Sequence, residues 1–406
     1  MSESLIISLD SQVDSLEIVG GKGRSLAKLT NAGFDVPGGF QITTQAYRQF
    51  VAEHNLQSQI LELAKPRIVE GTSSFEQASR DIVSLFHEHA LNEEITQQIV
   101  KAYEALEGTP AVAVRSSANA EDLPDLSFAG QQETYLNVTG ANEVAAAVRN
   151  CWASLWTAQA INYRHEMDIQ QDVVAMAVVV QIMIPSEVSG ILFTANPATG
   201  DRDEMIVNCS FGLGEAVVSG QVTPDTYVVD RQSLKTKETI IGAKDQMIVS
   251  DGNQGTRMED VTEAQKKQSS LAETALNELA SVALQIEKEF DGVPQDIEWA
   301  ISAGKLWLLQ SRPITHLPVP PPKDVSWPEI PDAQLLKRQV AENMPEPLSP
   351  LFQDLYLKGL FDSQKWPEDW KWEGIHTRSW MKNFVVTTVN GYAFQPIYHS
   401  GADEWK

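Results

Sequence analysis

The chain has 406 residues, 42% of them hydrophobic, 8% aromatic and 21% charged, the composition of a globular protein with core enough for two or three domains. Thirty-one Lys and Arg against fifty-five Asp and Glu leave a formal net charge of -24, which argues against an extended basic surface for nucleic acid or anionic lipid. Two cysteines, Cys151 and Cys209, make neither a disulfide framework nor a four-thiolate zinc site, and with an acidic N-terminus and no apolar run of membrane-spanning length the expectation is a cytoplasmic protein with no membrane partner.

In chain order, LIISL and AVAV read as strands and SLAKLTNA as a helix ended by Gly33. In IVGGKGRSLAKL, residues 18–29, glycines 20, 21 and 23 free the backbone to approach a ligand, and Lys22 offers a flexible point charge. The following helix directs its unpaired N–H groups to the same place. A phosphate suits this segment; a plain glycine turn with a solvated lysine is the bland alternative. It is not a phosphate loop of the G-x-x-x-x-G-K type, because position 16 is Leu16.

In AVRSSANAEDLPDLSFAGQQETY, residues 113–135, a strand delivers Arg115 to a polar loop, and Gly130 and Thr134 lie on the return. Arginine's fixed fork matches phosphate oxygens better than a lysine does, although an ordinary surface Arg–Asp pair fits the same residues. From Val173 the runs VVAMAVVVQIMI, GILFTA, MIVNCSF and DTYVVD are β-rich and predict a sheet. Gly212 and Gly214 predict a tight strand-to-helix turn opened by Glu215; a dinucleotide fingerprint starting there fails at Val217. One long helix is expected from an N-cap at Thr262, through Leu271, Ala275, Leu279, Ala283, Ile286 and Phe290, to Asp291-Gly292.

The segment QDIEWAISAGKLWLLQSRPIT makes a geometrical prediction. A hairpin with a three-residue loop, 303–305, sets Glu298 opposite Gln310 and Asp296 opposite Arg312, and alternation puts all four on one face. Ile297, Trp299, Trp307 and Leu309 then face the core. Glu298 and the Gln310 amide are oxygen ligands of the kind magnesium takes beside ATP phosphates, and Arg312 stands ready to clamp a phosphate; the bland alternative is a cross-strand salt bridge. The proline run LPVPPPK, residues 317–323, reads as a linker, and six of the ten tryptophans lie beyond it. The seven histidines show no metal-ligand spacing.

Taken in order from Val19 to Thr315, GGKGRSLAKLTNAGFDVPGGFQIT, AVRSSANAEDLPDLSFAGQQETYLNV, CWASLW, GILFTANP, FGLGEAVVSGQVTPDTYVV and QDIEWAI with LLQSRPIT resemble the ATP-binding region of the phosphoenolpyruvate synthase and pyruvate phosphate dikinase family. The resemblance implies an α+β, ATP-grasp-like, two-lobed ATP-binding domain, with lobes at 1–190 and 191–316, the linker at 317–323, and at 324–406 the start of a second, mainly helical substrate-binding domain. It implies ATP and Mg2+ as ligands. Lys22, Arg115 and Arg312 match the catalytic, phosphate-binding cations. Gly130, Thr134 and Gln181 match nucleotide-contacting positions, Glu298 and Gln310 the metal and ATP ligands, and Asp296 is a further expected contact.

In such enzymes a phosphoryl group of ATP reaches a histidine on a mobile domain and then a small-molecule acceptor such as pyruvate or rifamycin, releasing AMP and phosphate. The family's Gly-Gly-x-Thr-Ser-His type motif is not found in these residues, so the resemblance implies a phosphohistidine domain elsewhere on the chain or on a separate subunit. The tail, with LLKRQVAENMPEPLSPLFQDLY, is arranged more as in rifampin phosphotransferases than in phosphoenolpyruvate synthases. A phosphoenolpyruvate synthase, an ATP-dependent condensing ligase of the same family and a non-catalytic ATP-binding subunit are the alternatives.

Overall fold

Short β-branched runs bounded by glycine and proline become strands, and the periodic stretches between them become helices. The computed structural model describes residues 4–69, 72–119, 133–252, 254–315 and 317–319, and five short strands further on. Its first part comprises β1 (Ile6–Ser8), α1 (Leu16–Asn31), β2 (Gly39–Ile42), α2 (Thr44–Glu53), α3 (Leu56–Leu63), the small hairpin β3 (Arg67–Val69) and β4 (Thr72–Ser74), α4 (Glu76–Glu88) and α5 (Glu93–Glu104). Then come β5 (Val112–Ala118), β6 (Thr134–Val138), α6 (Ala141–Ser154), α7 (Ala158–Glu166) and β7 (Met176–Ile182). Five of these strands make an antiparallel sheet in the order β1-β2-β7-β5-β6.

Strands β5 and β7 lie inside that sheet and are buried on both faces, so both faces are covered. Val112, Val114, Val178 and Val180 pack with Phe50, Phe86, Ile95 and Trp152 from α2, α4, α5 and α6. Each such large side chain contributes about 1.5–3 kcal/mol by leaving water. Val179 points the other way, onto Leu26 of α1.

Helix α1 is kinked where the sequence reads as glycine-rich. Gly20 adopts φ 67, ψ 179, a non-helical break between a short first turn and the longer helix that follows. A Cβ at Gly20 would lie 2.1 Å from the Ser117 carbonyl oxygen, so only glycine fits. Gly20→Ala is expected to destabilise the protein by at least about 2 kcal/mol through left-handed strain and this clash, read as a lower urea midpoint. An unchanged midpoint would mean that the α1 start and β5 are not this tightly apposed.

Between Ile182 and Val188 the chain passes to a second sheet. Its elements are β8 (Val188–Phe193), β9 (Glu204–Phe211), α8 (Glu215–Val218), β10 (Asp225–Asp230), β11 (Thr236–Ile240), the hairpin β12 (Gln246–Ser250) and β13 (Thr256–Asp260), α9 (Glu263–Lys266), α10 (Glu273–Glu289), β14 (Gln295–Ser302) and β15 (Lys305–Pro313). The antiparallel order is β11-β10-β9-β8-β14-β15. Leu192, Val207, Tyr227, Ile297 and Trp299 pack on Leu276, Leu279, Ala283 and Ile286 of α10, and Leu29 of α1 joins the same core. Helix α1 is therefore shared by both sheets. The expected α+β class holds.

Two expectations need correction. The helix from Thr262 is two helices: Thr262 and Gln265 form a capping box for α9 alone, and α10 starts at Glu273. Between them Ser269 bonds the Tyr227 hydroxyl, and Ser270 gives its N–H and hydroxyl to Asp225; such side-chain and backbone bonds compete with helix continuation. The β14–β15 turn has two residues, Ala303 and Gly304, with φ 51 and 72, as a tight hairpin turn requires. A one-residue bulge after Glu298 then restores the register, and Leu308 takes the core position expected of Leu309.

Beyond Pro320 lies a second unit. Its described strands are β16 (Ala333–Leu336), β17 (Lys371–Trp372), β18 (Ile375–His376), β19 (Thr387–Val389) and β20 (Tyr392–Tyr398), with sheet order β16-β20-β19 and a separate β17-β18 pair. The mainly helical character expected there falls outside the described residues. Among the described residues no helix is long and apolar enough to cross a membrane. Cys151 and Cys209 are buried free thiols, and burial pushes both above the usual thiol range.

Candidate active site

Arg115 is the point where the two sheets meet. It projects from the middle of β5, its side chain only 9% exposed, and reaches across to the β14–β15 hairpin. Its Nη2 donates to Glu298 Oε2 at 2.7 Å and to Gln310 Oε1 at 2.6 Å, and its Nη1 donates to the Leu309 carbonyl at 2.7 Å. Gln181 of β7 lies alongside, its Oε1 3.4 Å from Nη1. The bulge explains the backbone contact. An extra residue on β15 tilts the Leu309 carbonyl out of the ladder, where Arg115 collects it.

The predicted pairing of the hairpin is present: Glu298 opposes Gln310 and Asp296 opposes Arg312. Glu298 and Gln310 converge on Arg115. Asp296 instead bonds Arg312, whose Nε and Nη2 both lie 2.8 Å from Oδ2. Desolvation raises the Asp296 carboxyl above its ordinary range, and Arg312 only partly opposes that. Arg312 is 44% exposed and lies toward solvent, whereas Asp296 is nearly buried.

Lys22 is positioned through Ser117, two residues along β5 from Arg115. The Ser117 hydroxyl donates to the Val19 carbonyl at 2.7 Å and accepts from the Gly23 N–H at 3.1 Å, which fixes the α1 turn that carries Lys22. The Ser25 hydroxyl donates to the Ser311 carbonyl and ties the same helix to β15. Gly130 lies outside the described residues.

Between the sheets is a cavity of about 400 Å³. Its apolar walls come from Leu136, Met183, Ile184, Leu213 and Trp299, and its polar lining includes Arg115, Thr134, Gln181 and Glu298. Arg115 Nε and Gln181 Nε2 are buried donors with no acceptor among the described residues. Leaving such a donor unpaired costs about 1–3 kcal/mol, so the cavity favours a ligand that brings acceptor atoms. A second cavity, about 330 Å³, continues past Thr134, Leu136 and Glu215 toward the tip of the β12–β13 hairpin. Among the described residues no group of three or more His, Cys, Asp or Glu could hold a metal ion unaided.

The sequence reading missed the Leu309 carbonyl, the role of Ser117, which it placed in a polar loop and which lies in β5, and Asn137. The first depends on a bulge and the others on pairings across about a hundred residues, none of which leaves a local pattern.

Residues 16–327 match the model of the pyruvate phosphate dikinase AMP/ATP-binding domain. A "Probable phosphoenolpyruvate synthase" of Methanocaldococcus jannaschii is 42% identical over 307 residues, covering 74% of this chain and 26% of its own. A rifampicin phosphotransferase of a Streptomyces species is 40% identical over 327 residues, covering 79% of this chain and 37% of its own. The chain thus spans well under half of either relative. Among solved structures, D-alanine–D-alanine ligase from Bacillus anthracis is 10% identical with a TM-score of 0.24 over 64% of each chain, a likeness too slight to carry an argument.

Proposed function

This chain belongs to the family of the pyruvate phosphate dikinase AMP/ATP-binding domain, and from that premise we propose that the cleft around Arg115 binds Mg-ATP as the nucleotide-binding part of a dikinase-type phosphotransferase. One observation carries the reading. A partly apolar cavity ends at a buried arginine whose Nε, like the neighbouring Gln181 Nε2, has a proton to donate and no acceptor among the described residues. An adenine ring suits the apolar walls, and phosphate oxygens suit the donors.

In this reading Lys22, Arg115 and Arg312 hold the phosphates, and Gly130, Thr134, Gln181 and Asp296 are further contacts. Glu298 Oε2 and Gln310 Oε1 already converge on one cationic atom, Arg115 Nη2, so the pair fits a hard cation once Arg115 turns to the phosphates. Magnesium there would neutralise phosphate charge. Catalysis by these residues is then positioning and charge neutralisation, in a protein whose own charge is -24. The phosphoryl group passes to a histidine on another domain or subunit and on to a small acceptor such as pyruvate or rifamycin. Two buried thiols accord with a cytoplasmic location.

Calorimetric titration with ATP tests the site. Binding near micromolar Kd, about -8 kcal/mol, is expected with magnesium and weaker binding without it. Arg312→Ala, measured well below its melting temperature because it strands the nearly buried Asp296, should weaken it at least tenfold, and Glu298→Ala should remove the magnesium dependence. Binding at full strength in both variants would overturn the assignment.

A further inference from the structure

The β12–β13 hairpin is anchored at one end and merely caught at the other. At its base Lys244 is fully buried on Asp225 and donates also to the Gly242 and Lys266 carbonyls. Midway, the Ile248 carbonyl accepts from the Leu213 N–H, so the hairpin backs the Gly212–Glu215 turn that walls the nucleotide cavity. At its tip it crosses to the other sheet and meets Asn137. The Asn137 side-chain amide donates to the Asp251 carbonyl at 2.7 Å and to the Gly255 carbonyl at 2.8 Å, and the Asn137 carbonyl accepts from the Gly255 N–H at 3.3 Å.

Asn137 is built for this contact. Strand β6 carries an extra residue between Tyr135 and Val138, and Asn137 sits in that bulge at φ 54 while remaining 5% exposed. Asparagine is among the few side chains that take this conformation readily, and a bulge re-aims its side chain out of the sheet. The tip and Asn137 both line the second cavity, which shares Thr134, Leu136 and Glu215 with the first.

We propose that Asn137 is a clasp: it fastens the hairpin across the mouth of the cleft, and as a positioning residue acting through Ile248 and Leu213 it sets how fast the nucleotide leaves. The effect on release rests on the nucleotide reading above; the clasp itself does not. Asn137→Gly removes the side chain while keeping the backbone conformation, and Asn137→Asp keeps the volume but turns an acceptor-only group toward two carbonyls.

The test is hydrogen exchange of the Gly255 amide without ligand and stopped-flow release of ATP with magnesium, both on the full 406-residue chain. Both variants should exchange Gly255 at least tenfold faster while amides of β8 and β14 keep their protection, and should release ATP about tenfold faster at an unchanged association rate, equivalent to 1.4 kcal/mol. Wild-type exchange at Gly255 in both variants overturns the clasp. Faster exchange with unaltered ATP release overturns the positioning role. A wild-type chain that binds no ATP overturns the nucleotide reading and the effect on release, while Gly255 exchange still decides the clasp. Should Asn137→Gly not fold, Asn137→Asp decides alone.

Discussion

Arg115→Ala is expected to weaken ATP binding at least a hundredfold, about 2.7 kcal/mol, and to destabilise the ligand-free protein by about 3 kcal/mol. The two effects share an origin. Arg115 is the one described cation that reaches Glu298, Gln310 and the Leu309 carbonyl together, so its loss strands a carboxylate, an amide oxygen and a peptide oxygen in a region of low exposure. Stranded acceptors cost more than the bonds themselves contribute. The phosphates would also lose their planar fork.

Arg115→Lys separates the two effects. A lysine keeps the charge beside Glu298 but cannot serve three acceptors in one plane. It should recover most of the stability and little of the ATP affinity. Calorimetry well below the melting temperature reads the affinity, and urea unfolding the stability. Full ATP affinity in the lysine variant would mean that Arg115 acts only as a point charge, and an unaltered urea midpoint in Arg115→Ala would mean that the ring of acceptors is solvated.

The residues of this site were legible in the sequence to the extent that they sit in regular structure. Alternation alone pairs Asp296 with Arg312 and Glu298 with Gln310, and both pairings are present. They hold for a reason alternation does not supply, since a turn one residue shorter than expected is offset by a bulge one residue longer. The bulge at Leu309 answers to Arg115, 194 positions away, and no local pattern encodes that demand. The glycines before Lys22 were readable as a close approach of backbone to something. That Gly20 is held against Ser117 of β5 requires the fold. Asn137 had still less signal, because an asparagine in TYLNV reads as an ordinary strand residue until the bulge and the hairpin tip are seen together.

The largest stability effect is expected at the other end of that hairpin. Lys244 and Asp225 are both 0% exposed, and every polar atom of the pair is engaged: Asp225 accepts also from the N–H groups of Gly242 and Ser270 and from the Ser270 hydroxyl. A buried ion pair adds little over an apolar pair of equal volume, but breaking it leaves a bare charge in a medium that cannot solvate it. Lys244→Met is therefore expected to cost about 3–5 kcal/mol, a large fraction of the stability of an ordinary domain. Asp225→Asn keeps the shape but strands the Lys244 ammonium, at a comparable cost. Made together, the two substitutions remove both charges, so the double variant should cost at least about 1 kcal/mol less than the summed single effects. Urea unfolding of the four proteins followed by both fluorescence and circular dichroism gives the cycle. Additive costs would show that the two charges do not sense one another. Single costs below 1 kcal/mol would show that water reaches the pair, and the base of the hairpin would then be no firmer than its tip.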